Sequence, residues 1–318
     1  MKLPWQKGAR RRESLAKAVV AMTAGDGPDR RAEELARGIA MLDEVEASEL
    51  GELAKLPPFR PVIVSLMRLF DREDVSNEEI ARLVESDTSL TAELLAVVNS
   101  PLFPTRTPVT SPIQAVSLLG HQTTRSLVSA LGMRSIVQGG PRTPVVRRFW
   151  SHTVAAATIG QDFARFFRID PHLVYIGAIL HDLGRLGLLA AHREEYTTLA
   201  LSSHESTDAI LAAEQAGFGM THCRAGALLA GAWSLPDPAR QIAEQHHQAG
   251  SDHNVVALVQ LCCRLADDMQ FQAIHRRDIQ KPEETILALA PAHLQEPLIS
   301  RLEDVNTAIL HGIETLDF

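Results

Sequence analysis

Cysteine is scarce in this chain, with three among 318 residues: Cys223, Cys262 and Cys263. No C-x-x-C spacing occurs, and a vicinal pair such as Cys262-Cys263 seldom closes a disulfide, so a disulfide-stapled secreted fold is excluded and a reduced cytoplasmic setting is expected. No run of 18 consecutive apolar residues is present, which predicts no transmembrane helix. Positive charge is not in excess. The formal net charge is −8 at pH 7, which argues against a general nucleic-acid binder. Alternating strand patterns are scarce, and apolar residues recur at helical spacing almost throughout. There is no P-loop, no Gly-rich dinucleotide fingerprint, no internal repeat and no low-complexity tract.

What is present is a 45% hydrophobic chain long enough to bury a large core, and length alone predicts two lobes. Residues 1–50 read as an extension. Arg11-Arg12 precede a short apolar stretch that loosely resembles a twin-arginine export signal, but Lys17 breaks the stretch and it runs into Asp26. The expected form is a basic arm followed by a charged amphipathic helix over 29–49. Residues 51–140 read as a first helical lobe. Ser76 with Glu79 forms a capping-box pattern, Asp87 is a second candidate N-cap, and Leu90, Leu94, Leu95 and Val98 make one apolar stripe. Pro101, Pro104, Pro108 and Pro112 predict an irregular loop, a candidate docking surface for a partner, with Asn99 bonding backbone groups at its start. Gln138-Gly139-Gly140-Pro141 marks a boundary. The second lobe, 141–270, contains predicted helices over 145–167, 170–181, 221–233, 238–247 and 254–271, with Ile242, Val255, Val256, Leu258, Val259 and Leu261 as core. Residues 271–318 read as a polar helical tail.

The second lobe carries an ordered set of metal-ligand types: His152, His181-Asp182, His222, His246-His247 and Asp267. Neutral imidazole binds transition metals well, and a carboxylate can bridge two ions. Gaps of tens of residues match no local motif, so such a site has to be built from several converging helices. The spacing allows a first metal at His152, His181, Asp182 and Asp267, with Asp182 bridging to a second at His222, His246 and His247. Adjacent His246 and His247 point about 100° apart on a helix, so they converge only where the backbone is irregular. The other histidines have blander readings. His192, His204, His253, His275, His293 and His311 are expected on the surface, and His172 in the first turn of a helix.

At these residues the chain resembles the HD superfamily of metal-dependent phosphohydrolases, and more closely its HDOD branch, a bacterial signalling family. Leu56-Pro57-Pro58-Phe59-Arg60-Pro61 is similar to the proline-marked start of that domain. Asp87-Thr88-Ser89-Leu90-Thr91-Ala92-Glu93-Leu94-Leu95, followed by Val98-Asn99-Ser100-Pro101-Leu102-Phe103, is similar to its central signature, and Pro108-Val109-Thr110-Ser111-Pro112-Ile113 and Ala115-Val116-Ser117-Leu118-Leu119-Gly120 continue it. The resemblance implies an all-α, two-lobed HDOD fold with an HD-type helical bundle as the second lobe, and a regulatory role. It also implies one or two divalent transition metals, iron, manganese or zinc.

Two functions follow as expectations. In the first, the chain is a signal-transduction module that senses metal or a nucleotide-like ligand and passes the signal to other signalling proteins or through a homodimer. In the second, it is a metal-dependent phosphohydrolase in which Asp182 and Arg185 are catalytic and Arg185, Arg148 and Arg147 steer phosphate. The chain departs from the cyclic-dinucleotide phosphodiesterases of the superfamily, the HD-GYP domains. Arg185 replaces the lysine of their HDxGK motif, Gln248-Ala249-Gly250 follows His247 instead of Gly-Tyr-Pro, and Arg148 stands where some relatives carry a glutamate.

Overall fold

The computed structural model describes residues 49–51, 53, 60–70, 72, 74–99, 107–139, 143–233, 235, 237–248 and 254–316. The N-terminal arm, the Leu56-Pro57-Pro58 start, the loop around Pro101 and Pro104, and the boundary at Gly140-Pro141 lie outside those residues. Among the described residues the fold is all-helical. Its one β feature is an isolated bridge between His204 and Arg276.

The first lobe holds α1 (Pro61–Leu69), α2 (Asn77–Glu85), α3 (Thr88–Val98) and α4 (Pro112–Gly139). Local chemistry starts these helices. The Glu79 N–H donates to Ser76 Oγ while the Ser76 N–H donates to the Glu79 carboxylate, a reciprocal capping box. The Leu90 N–H donates to Asp87 at 2.9 Å. Arg60 ties this turn down by pairing with both Asp87 and Glu93. Asn99 clamps the far end of α3, where its amide donates to Leu95 O and Val109 O and accepts from the Val109 N–H. The long α4 is two helical pieces, because Gly120 sits inside it at φ 72°, a left-handed conformation that costs glycine little. α1, α2 and α3 all pack against α4.

The second lobe is built around α5 (Pro144–Phe167), whose Thr143 cap accepts from the Val146 N–H and whose Pro144 sits in the first turn. It is followed by α6 (Pro171–Leu180), α7 (Leu183–Ala191), α8 (Arg193–Leu201), α9 (Thr207–Phe218), α10 (His222–Ala232), α11 (Asp237–Gln245) and α12 (Val255–Asp268). The run Val154-Ala155-Ala156-Ala157 on α5 is buried throughout, and its small side chains let α6 and α12 pack closely against α5. The segment Pro171–Ala191 has the length and apolarity of a membrane span. It breaks at His181-Asp182 into α6 and α7, and 89% of an 18-residue stretch within it is buried inside the protein, as befits core helices. α6 reaches back to the first lobe, where Ser126 of α4 hydrogen-bonds His172 at 2.7 Å.

The tail folds back onto this lobe. Its helices are α13 (Pro282–Leu289), α14 (Ala292–Ile299) and α15 (Leu302–Leu316), and α15 packs on α5. Leu298, Val305 and Ile309 are buried there. The sequence also marks His192 and His204 as surface residues, and both are half-buried. His204 hydrogen-bonds Leu199 O.

Candidate metal centre

Five elements bring the candidate ligands together. His152 comes from the middle of α5, His181 and Asp182 from the break between α6 and α7, and His222 from the first turn of α10, which Thr221 caps by accepting from the Arg224 N–H. His246 and His247 follow α11, and Asp267 lies on α12. The helix expected over 238–247 ends at Gln245. His246 and His247 therefore sit in a turn, and their ring centroids lie 4.1 Å apart.

Asp182 is at the middle. Its Oδ1 lies 3.3 Å from His222 Nε2 and 3.6 Å from His246 Nε2. Its Oδ2 lies 3.7 Å from both His152 Nε2 and His181 Nε2. The His152 and His181 Nε2 atoms are 3.2 Å apart. The His246–His181 and His247–His222 ring pairs are 4.8 and 5.1 Å apart.

The outer edges of four imidazoles are all occupied by acceptors. His152 Nδ1 meets Phe271 O at 2.8 Å and Asp267 at 3.2 Å. His181 Nδ1 meets Ala178 O at 2.6 Å. His222 Nδ1 meets Glu214 at 2.7 Å, and His246 Nδ1 meets Ile242 O and Ala243 O. An acceptor at Nδ1 holds a proton there, which in the neutral ring leaves Nε2 as a bare lone pair. In all four rings that lone pair faces inward. Asp182 Oδ1, His246 Nε2 and His247 Nε2 are buried with no hydrogen-bond partner. Such orphaned buried atoms are costly unless something supplies the missing bond. A divalent transition metal fits this donor set, and His152, His181, Asp182, His222, His246 and His247 would hold it.

Electrostatics follow from burial and the central carboxylate. Burial alone would raise Asp182, but Arg185 and the surrounding imidazoles hold its carboxyl well below the usual carboxylate range. Burial pushes His181, His222 and His247 down. His152 runs the other way: burial would lower it, but Asp267 at its Nδ1 together with Cys263 at its Nε2 raises it well above the ordinary value.

Asp267 stands apart from the ring of inward-facing atoms. It lies on the Nδ1 edge of His152, and its other oxygen pairs with Arg276 Nε at 3.0 Å. The three arginines read as phosphate-steering groups are distributed differently. Buried Arg185 joins Asp182 at 2.7 Å and Glu214 at 3.2 Å. Arg148 donates to the carbonyls of Ala200 and Ala273. Arg147 is exposed at the start of α5.

Some residues of the centre were not marked as site residues by the sequence. Glu214, fully buried, orients His222 and Arg185 and accepts from Tyr196 Oη at 2.7 Å. Cys263 and Cys223 each place Sγ 3.6 Å from an inward-facing Nε2, of His152 and His222 respectively. A half-open cleft of about 360 Å³ reaches the centre at His247, Cys263 and Asp267, and its walls include Asp208, Asp278 and Arg264.

Helices converging on a buried histidine–aspartate centre, with a second helical lobe in front, define an HD-type domain. The HDOD domain model matches residues 56–249, more than half of the chain, and the chain belongs to the HDOD family. A curated relative from Treponema pallidum (strain Nichols), called an uncharacterized protein, is 23% identical over 207 residues. That match takes in 64% of this chain and 40% of the relative, so the chain spans about two fifths of that protein's length. Among solved structures, an HDOD domain protein of unknown function from Geobacter sulfurreducens superposes with a TM-score of 0.69 at 21% identity, covering 82% of this chain and 93% of that one. A protein from Shewanella amazonensis SB2B, provisionally named a phosphohydrolase, gives 0.62 at 20% identity, covering 85% and 98%. One from Marinobacter aquaeolei VT8, provisionally named a signal transduction protein, gives 0.64 at 19%, covering 100% and 68%. At these identities the likeness is one of fold.

Proposed function

We propose that this chain is a regulatory HDOD module whose second lobe holds one or two divalent transition metal ions at the Asp182-centred cluster, and that occupancy of the cluster is what it signals. The observation that carries this reading is the set of four imidazoles whose outer nitrogens are engaged and whose inner lone pairs face one carboxylate. Metal at that point would staple α5, α6, α7, α10 and the turn after α11 to one another. α6 runs from His181 to the Ser126–His172 bond, and its ten residues span about 15 Å at about 1.5 Å per residue. A rigid rod of that kind couples the centre to α4 and so to the first lobe, the face proposed to meet another signalling protein or a second copy.

The regulatory reading is favoured over phosphoester hydrolysis by the surroundings of the centre. Arg185 and Arg148 are engaged by protein carboxylates and carbonyls, and the cleft at the centre carries Asp208 and Asp278 beside Arg264, which itself pairs with Asp278 at 3.0 Å. Among the described residues, no unpaired cation lines that cleft to receive an anionic substrate. The hydrolase reading rests on the cleft itself, which gives a small molecule access to Asp267 and His247.

Metal analysis of the untagged chain tests the proposal. At least one divalent ion per chain is expected, lost in His181→Ala, with partner capture from the native cell changing between metal-loaded and chelated protein. A metal-free preparation that does not take up zinc, iron or manganese would overturn it. Robust turnover of cyclic di-GMP, abolished by His181→Ala, would promote the hydrolase reading instead.

A further inference from the structure

The histidines and Asp182 do not complete the ring of donors. Cys263 lies on α12 one turn before Asp267, so both side chains project from the same helix face. They divide the two edges of His152 between them: Asp267 takes Nδ1 at 3.2 Å, and Cys263 Sγ stands 3.6 Å from Nε2. Cys223 is placed in the same way in the other half, with Sγ 3.6 Å from His222 Nε2. Both thiols are buried. The ligand atoms of His152, His181 and Cys263 lie within 4.8 Å of one another, as do those of His222, Cys223, His246 and His247.

We propose that Cys263 and Cys223 are thiolate ligands, one in each half of the Asp182-centred cluster, making it a mixed nitrogen, sulfur and oxygen centre that selects zinc over manganese and magnesium. The inference rests on the metal-binding reading above and adds to it the donor set and the class of ion.

Magnitudes support the assignment. A tetrahedral zinc ion has bonds of about 2.0–2.1 Å to nitrogen and about 2.3 Å to sulfur, which gives edges of about 3.3 Å between two nitrogens and about 3.6 Å between nitrogen and sulfur. The corresponding separations here are 3.2 Å for His152 to His181 and 3.6 Å for His152 to Cys263. Asp182 Oδ2 stands 3.7 Å from both imidazole nitrogens, a few tenths of an ångström outside the fourth corner. Asp267, the other carboxylate in reach, is turned outward to Arg276, so the sulfur side is the one left to the ion. On binding, each thiol gives its proton to solvent and its sulfur forms the bond to metal. Thiolate donors favour zinc, whereas manganese and magnesium favour all-oxygen sites.

The third cysteine supplies a control. Cys262 is buried but belongs to neither ligand group, and it packs beside Gly160 of α5. The full-length, untagged chain is loaded with Co²⁺, and near-ultraviolet absorption is read for thiolate-to-cobalt charge transfer, with cobalt per chain measured in parallel. The expected result is a strong charge-transfer band that Cys262→Ala retains. It should fall in Cys263→Ser and in Cys223→Ser and be lost in the double variant, while circular dichroism stays helical. Zinc should also displace manganese from the wild-type chain. Cobalt bound at full stoichiometry by the wild-type chain without a charge-transfer band would overturn the thiolate assignment while leaving the metal site standing. No cobalt bound at all would overturn both. Because the decisive spectrum is that of the wild-type chain, a variant that misfolds does not shield the proposal.

Discussion

Asp267 Oδ1 sits 3.2 Å from His152 Nδ1, on the edge of the imidazole opposite the nitrogen that faces His181. This fixes the tautomer of His152 without entering the ring of inward-facing donors. Asp182, by contrast, has both oxygens within 3.7 Å of inward-facing imidazole nitrogens. The two carboxylates therefore have different expected effects on metal binding.

Asp182→Asn should abolish metal retention, because it removes the one charge shared by all parts of the cluster. Asp267→Asn should weaken affinity by about 10–100-fold, the usual cost of disturbing an outer partner of a ligating histidine. Chelator competition on both variants measures this. Equal affinities in the two would show that Asp182 is not central.

Much of the fold was legible because its signals are local. The Ser76-Glu79 box, the Asp87 and Thr221 caps and the Asn99 clamp each act within a few residues or one short loop, and short-range chemistry is what a sequence displays. The metal-ligand types were legible only as an ordered set: a single buried histidine can be structural, as His172 is in its bond to Ser126, and it is the series that points to metal. Glu214 and Cys263 were not, since nothing near them in the chain hints that folding sets one against His222 and the other against His152. The arginines show the converse. The charges of Arg185 and Arg148 were plain, but their partners, Glu214 and the carbonyls of Ala200 and Ala273, come from distant parts of the chain. The turn after Gln245 settles the geometry of His246-His247, which helical periodicity alone left open.

Stability of the metal-free chain should fall on mild acidification. Burial holds His181, His222 and His247 below the ordinary value of 6.5, so these stay neutral in the fold while the unfolded chain takes up protons as pH drops through that value. The unfolded state then binds more protons, and stability declines. His152 has the opposite sign. Its folded value is raised, so its contribution is complete at low pH and is lost as pH rises through that value. Glu214 adds nothing in this range: burial raises it, His222 and Arg185 outweigh burial, and the net lowering matters only in stronger acid. Three groups oppose one, so urea midpoints in chelator should decrease from about pH 7 to about pH 5. A flat or rising profile would contradict the neutral assignment.

Glu214→Ala should be among the most damaging single changes outside the ligands. It leaves Arg185 with one carboxylate and strips partners from Tyr196 and His222, all in a buried setting. Breaking such a pair costs about 3–5 kcal/mol. Tyr196→Phe removes only the hydroxyl's bond to that carboxylate and should cost less, about 1.5–3 kcal/mol. Equilibrium unfolding in urea separates the two, and similar losses would mean that the Arg185–Glu214 pair contributes little.

The glycine two residues after Asp182 is where the centre is most sensitive to a single methyl group. A Cβ on Gly184 would lie 1.9 Å from His222 O and 2.5 Å from Gly226 N, and both atoms are backbone, so no side chain can yield. α7 and α10 approach this closely because glycine faces glycine, and that approach holds Asp182 within 3.3 Å of His222. Gly184→Ala must push the two helices apart. The expected outcome is loss of metal together with a stability cost at or beyond the upper end of the usual overpacking range of about 1–3 kcal/mol. Gly217→Ala is the matched control. It lies within α9, its Cβ would meet nothing within 4 Å, and alanine there should stabilise the helix by about 0.5–1 kcal/mol. Metal content and urea midpoints of the two variants test the argument directly. If Gly184→Ala kept wild-type metal content, the contact between α7 and α10 would not be what holds Asp182 against His222.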